Sequence, residues 1–362
     1  MRDTAIGGLT DLLRRGDWQD SAARSAIASM VGDGLSDPDP LVRLRASEGV
    51  PSLFPDMSPM QLVGAIGDLM RGEKDEHVLL ILLSQLTPLA SRVPADVDAV
   101  LQDLPLTAAS DNQELTRYAQ SLLTYLALVH EMPGAVAAVH DACRDAPKSA
   151  GLTAVFVQQS RDYLASDDRE VRLRAFDVVA LAADASLARW SEDPSEHVKT
   201  DLPEDQLAEL RGAATVAHEV AQQLYFASGA FRNAGEHDPK VLPEPDTFAE
   251  LAFPVLMTCA RLQVAQCVHP AVETMIHLAP LNESRALKSI AAAVPPDASY
   301  AGDSLAGAAV IPYLQRLLTE QRQLVLYDEA GLAAFLHLLT TFAAAGDTTA
   351  LAMAYDFADV FR

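Results

Sequence analysis

Nine histidines and three cysteines in 362 residues set the stock of side chains that could ligate a metal or attack a substrate. His130 and Glu131 open what could be an H-E-x-x-H zinc motif, but Met132 and Pro133 follow. The second histidine is missing, and Pro133 would break the helix that must carry both ligands on one face. His140 and Cys143 stand three residues apart, with Asp141 adjacent. They could share a helix face, yet two ligands fall short of the three or four that zinc requires. Cys259, Cys267 and His269 cluster as a Cys–His nucleophile pair would. A free cysteine, however, is more often a small buried hydrophobe. His218-Glu219 has no partner histidine four residues on and reads as a solvated turn of helix. No glycine-rich loop follows a strand, and no G-x-S-x-G elbow occurs; Gly7-Gly8 reads as a weak point in an N-terminal helix. These patterns assign no catalytic residue, no metal and no cofactor.

The elements that carry these residues are helical. Asp37, Pro38, Asp39, Pro40, Leu41, Val42, Arg43, Leu44, Arg45 and Ala46 form the most informative run. Asp37 can cap a helix start, and the prolines suit a turn and a first helical position. Val42, Ala46, Val50 and Leu53 then recur at steps of three and four, on one helix face. A twin follows in Ser166, Asp167, Asp168, Arg169, Glu170, Val171, Arg172, Leu173, Arg174 and Ala175. Val171 lies 129 residues after Val42, three units of 43. Units of that size mark two-helix solenoid repeats.

The run resembles the HEAT repeat family, of the armadillo type, whose pattern is an Asp, four residues, Val-Arg, two residues and Ala. Asp37, Val42, Arg43 and Ala46 fit every place; in the twin, Ser166 stands where Asp belongs, with Asp167 or Asp168 to substitute. The resemblance implies an all-α, right-handed α-solenoid of HEAT-like helix pairs. It also implies that Arg43 belongs to a structural ladder between repeats, and that Arg45 and Arg174 lie on helices of the kind that line the family's concave face. Both are candidate binding residues on that ground.

The chain carries 50 acidic against 27 basic residues, a formal charge of −23. Nucleic-acid binders need a basic surface to neutralise phosphates, so this balance argues against one. The complementary partner is another protein with a basic surface. Cys143, Cys259 and Cys267 are far apart, odd in number and without a C-x-x-C pair, which fits a reduced, cytoplasmic chain. The N-terminus does not read as a signal peptide. The uncharged run from Gly331 to Gly346 is 16 residues, short for a membrane span, and reads as a buried helix.

In order, helices are expected at 4–15, 20–32, 37–54, from Ser58 to Gly72, from Asp75, and from a capping box at Asp111 to Glu114. The twin follows at 171, then a helix at 204–229. Further helices are expected at 247–265, 270–279, 282–293, 303–319, 329–343 and 347–360. The last has no glycine or proline stop, as expected of a piece of a longer protein. No stretch alternates well enough for a sheet. Residues 1–190 read as HEAT-like repeats, and 191–362 as a continuing helical array. The stretches 190–203 and 233–246 read as turn-rich acidic loops flanking the long helix. The window 190–250 holds 13 acidic residues and 4 Lys or Arg. Glu192, Asp193 and Glu196 in the first loop, and Glu236, Asp238 and Glu244 in the second, are therefore candidate contacts for a basic partner. The function read from the sequence is a non-enzymatic interaction scaffold. The alternative is a HEAT-like nucleic-acid-binding or repair enzyme, which would need a basic groove holding an aromatic and an acid.

Overall fold

The computed structural model describes residues 1–15, 20–104, 112–190, 203–231, 239–295 and 307–360. Among them every regular element is helical. Two compact units are distinguished, Met1–Val139 and His140–Arg362.

The first unit holds α1 (Arg2–Arg14), α2 (Ser21–Gly34), α3 (Pro40–Ser47), α4 (Val50–Leu53), α5 (Pro59–Gly72), α6 (Glu76–Ala90), α7 (Pro94–Gln102), α8 (Gln113–His130) and most of α9 (Pro133–Arg144). Their starts are written in local chemistry. Asp20, Asp39, Asp75 and Asn112 each accept from backbone N–H groups one turn into the helix. Ser58 and Gln61 form a complete capping box, with Pro59 at the first helical position. At α9 the cap comes from elsewhere in the unit: the Gly134 N–H donates to Asp98 Oδ2 at 2.9 Å. The helix expected over 37–54 is two helices, α3 and α4. Pro51 cannot donate a backbone hydrogen bond, and a Cβ at Gly49 would stand 3.0 Å from Thr10 Cγ2, so the chain bends where α1 packs close.

The second unit holds α10 (Ala150–Leu164), α11 (Arg169–Leu187), α12 (Glu204–Ser228), α13 (Pro245–Ala260), α14 (Ala265–Leu278), α15 (Glu283–Ala293), α16 (Gly307–Glu320), α17 (Arg322–Tyr327), α18 (Glu329–Ala344) and α19 (Thr348–Val360). The long helix expected at 204–229 is α12. The capping box expected at Thr247–Glu250 is not a helix start: α13 begins at Pro245 and carries Pro254 inside it. Glycine marks a close approach at Gly212 of α12, where a Cβ would collide with the Pro147 carbonyl oxygen.

Within each unit the packing follows chain order. In the first, α1 packs on α2 and α3, α5 on α6 and α7, and α6 on α8. In the second, α10 packs on α11 and α12, α12 on α14, α11 on α13, and α18 on α19. Where a short helix intervenes the step lengthens, as for α3 on α6 and α15 on α18. This is α-solenoid packing, in which each repeat buries its apolar stripe against its neighbours. Leu82, Leu83, Leu86 and Leu126 fill the interior of the first unit. In the second, Phe176 of α11 meets Phe248 of α13 edge-on, ring centroids 5.2 Å apart. No single helix among the described residues is long and apolar enough to cross a membrane; the 331–346 run lies in α18, which buries Phe335, Leu338, Leu339 and Phe342.

Val42 and Val171 sit at the same step of their helices, 1% and 6% exposed. Val42→Asp and Val171→Asp each place an unpaired charge in an inter-helix core and should cost about 3–5 kcal/mol. Thermal melts check this; unchanged midpoints in both variants would show that these valines do not face the repeat core.

Candidate functional site: the arginine ladder and its surroundings

The two copies of the motif build the same local structure. In the first, the cap of α3 is Asp39, not Asp37: Asp39 Oδ1 accepts from Leu41 N at 3.0 Å. Asp37 acts one step earlier, with Oδ1 accepting from Asp39 N at 2.8 Å and its carbonyl accepting from Arg43 Nη1 at 2.9 Å. In the twin, Asp168 caps α11. Ser166 repeats both duties of Asp37: its Oγ accepts from Asp168 N at 3.2 Å, and its carbonyl accepts from Arg172 Nη1 at 2.6 Å. The serine therefore fits the motif, because the position requires one side-chain oxygen and one carbonyl.

Arg43 then reaches forward to the next helix start. Its Nε and Nη2 each donate to an oxygen of Glu73, both at 2.8 Å. Glu73 Oε1 also accepts from Lys74 N and from Asp75 N, the cap of α6. Glu73 thus holds the place that Asp37 holds two residues before Asp39, and it is the acceptor of the preceding arginine. Arg2 Nη1 lies 3.2 Å from Asp37 Oδ2, a further rung at the start of the unit. Burial raises the Glu73 pKa, but the hydrogen bonds from Arg43 and from two backbone N–H groups outweigh it, and the carboxyl titrates below its ordinary range. The Glu73 hydrogen bond in turn raises Arg43.

Of the candidate binding residues, Arg45 pairs at 2.9 Å with Glu48, the residue just past the end of its helix, and lays its stem near Gly7. Arg174 is half-buried on α11. Glu244 stays exposed but pairs with the motif arginine of the twin: its Oε2 lies 2.9 Å from Arg172 Nη2 and 3.7 Å from Arg169 Nε. Glu192, Asp193, Glu196, Glu236 and Asp238 lie outside the described residues. Glu73 and Arg172 carry the geometry and were not among the candidates. The spacing that finds Glu73 is Glu73-x-Asp75-x-x-Val78, which matches Asp37-x-Asp39-x-x-Val42 and Ser166-x-Asp168-x-x-Val171.

The residues whose types suggested catalysis are placed otherwise. Cys143, Cys259 and Cys267 are buried free thiols. Burial pushes Cys143 and Cys267 up to about 12, and it raises Cys259 with help from the adjacent Cys267. None is a ready thiolate nucleophile at neutral pH. His269 lies 3.5 Å from Glu273 one turn along α14. His218 is not on a solvated turn: its Nδ1 donates to the Gln266 carbonyl at 2.7 Å, and Glu219 beside it is buried and accepts from Gln223. His277 and His337 likewise face the carbonyls of Ser228 and Val294, at 3.0 and 2.9 Å. A carbonyl only accepts, so each facing ring nitrogen carries a proton, and the three histidines act as staples between helices. Among the described residues, no three His, Cys, Asp or Glu side chains converge as metal ligands would.

No protein-family model matches the chain, and no curated protein matches it. Solved structures of Kap121p are similar at low level. A mutant of Kap121p aligns at 13% identity and TM-score 0.29, covering 98% of this chain and 46% of that one. The karyopherin Kap121p bound to the extreme C-terminus of the protein phosphatase Cdc14p aligns at 13% identity and TM-score 0.29, covering 95% and 46%. A third Kap121p structure gives 12% identity and TM-score 0.28, covering 98% and 47%. The chain spans about half the length of these structures.

The rung yields a pH test with a fixed sign. Because the folded Glu73 titrates below its ordinary 4.5, its contribution is complete above that pH and is lost as pH falls through the lower, folded value. Glu73→Gln should cost about 2–3 kcal/mol at pH 7, and its deficit against the parent should shrink below about pH 4.5. Urea unfolding at pH 7 and at pH 3–4 measures it. A deficit that stays constant on acidification would show that the ion pair contributes nothing.

Proposed function

We propose that the chain is a non-enzymatic interaction scaffold of the HEAT type, presenting stacked helix faces to another protein whose surface is basic. The observation that carries this reading is the fate of the motif arginine. Arg43 is spent on tying one helix start to the next, three of the histidines on joining helices, and the cysteines on packing. What the described residues leave for recognition is extended helical surface rather than a cluster of reactive groups. The net charge of −23 selects among protein partners by complementarity, raising association rates with basic surfaces and suppressing acidic ones. The acidic stretches 190–203 and 233–246 are the contacts proposed first. Three free cysteines fit a reducing compartment, and we place the protein in the cytoplasm.

A partner captured from the source cell by cross-linking and mass spectrometry, then purified, supplies the test. Two variants are compared with the parent: Glu192→Gln, Asp193→Asn and Glu196→Gln together, and Glu236→Gln with Asp238→Asn. Affinity should fall about three- to tenfold at low salt in at least one of them, and the difference should close as salt rises. Equal binding by all three proteins at every salt concentration would remove the loops from the interface. Tight, steeply salt-dependent binding of duplex DNA in a gel-shift titration would overturn the scaffold reading itself.

A further inference from the structure

Arg172 is the largest side chain that the described residues bury completely. One edge of its guanidinium is used, with Nη1 donating to the Ser166 carbonyl at 2.6 Å. The other edge, Nε and Nη2, is buried and makes no hydrogen bond among the described residues. Glu244 Oε2 stands 2.9 Å from Nη2. It balances charge without accepting a hydrogen bond from that edge. The twin shows what this edge accommodates: on Arg43 the same two nitrogens hold both oxygens of one carboxylate, each at 2.8 Å. Glu244 is poorly suited to that role. Its backbone is left-handed, φ 44° and ψ 64°, a region that non-glycine residues rarely adopt. Its side chain is 47% exposed, and it caps no N–H of α13.

We propose that the Nε/Nη2 edge of Arg172 is a receptor for a carboxylate from another protein, an Asp or Glu side chain, and that Glu244 is its resident stand-in, displaced when the partner docks. The chemistry selects the ligand. A planar pair of donors matches a carboxylate in two-point contact, as Glu73 demonstrates on Arg43. The cost of burying the guanidinium is already met by the fold, so an arriving carboxylate gains hydrogen bonds without ordering the arginine. Released, Glu244 returns to water, where its charge is solvated. Arg169, 62% exposed and 3.7 Å from Glu244, stands beside the same carboxylate as a second positive charge. Of the nearby acids, Asp168 is engaged in capping α11, and Asp246 is exposed in the first turn of α13. Neither pairs with Arg172 among the described residues. The proposal rests on the scaffold reading only for the source of the carboxylate; the titration below interrogates the edge alone, so the two can fail separately.

The probe is acetate, titrated against chloride at constant ionic strength and pH 7 into the full chain. The readouts are the arginine Nε–H resonances by nuclear magnetic resonance and the melting temperature. Arg172→Lys identifies the Arg172 signal by its loss. In Glu244→Gln, acetate should shift that signal saturably and raise the melting temperature above the chloride control. The parent should respond about tenfold more weakly, because an internal carboxylate competes for the edge. The double variant Glu244→Gln/Arg172→Lys should not respond. If Glu244→Gln unfolds, Glu244→Asp, which retracts the carboxylate by one methylene, replaces it with the same expectation. Indistinguishable acetate and chloride titrations, or equal responses from the parent and the Glu244 variant, would overturn the proposal. A response to sulfate without one to acetate would overturn the carboxylate assignment.

Discussion

A guanidinium carries five N–H donors in one plane, and burying it is costly unless acceptors wait at fixed angles. In the first unit that requirement organises everything around it. Arg43 sits one turn into α3, so its Nη1 falls back over the carbonyls of Asp37 and Pro38, and its other edge projects toward the start of α6. For the edge to be filled, the turn before α6 must place a carboxylate there, and Glu73 does so while accepting the N–H of the residue that caps α6. One side chain thereby fixes the entry angle of two helices. The apolar stripes on those helices can interleave because their starts are held in register, and α3 packs on α6 as a result.

The second unit carries its own copy of the motif at Arg172 and adds other ties between its helices. Its helices are tied by aromatic and cationic contacts, such as Arg285 over the Phe253 ring at 5.1 Å, and by ion pairs between elements. Arg316 pairs with Glu283 at 2.6 Å, and Lys288 with Asp328 at 3.0 Å. The Lys288 pair is exposed enough to contribute little alone; the Arg316 pair, beside the buried Tyr313 hydroxyl, is better shielded. Gly212 lets α12 lie against the Pro147 carbonyl at a separation that any side chain would forbid.

Helix existence was legible because capping and periodicity are local: Asp20, Ser58, Asp75 and the twin at Val171 announce themselves within a few residues. The short helices were not. α7 and α17 span 9 and 6 residues, too few for a stripe to repeat, and they are held by what they pack on. The break between α3 and α4 depends on a contact with Thr10, some 39 residues distant in sequence, which no local window contains. The rung partners were hidden because Glu73 looks like any acid in a turn, and the pairing of Glu244 with Arg172 comes with a backbone conformation that glutamate seldom takes.

The acceptor that receives the motif arginine is a carbonyl, supplied by Asp37 in one copy and Ser166 in the other. Every residue has that group, so the half of the rung that faces backward constrains chain path and leaves identity open. Sequence change at such a position is limited only by the side-chain oxygen that the cap residue's N–H needs, which Asp37 and Ser166 supply alike. Two repeats can then drift apart letter by letter while preserving the same joint. A profile that scores letters loses track of a repeat well before the geometry does.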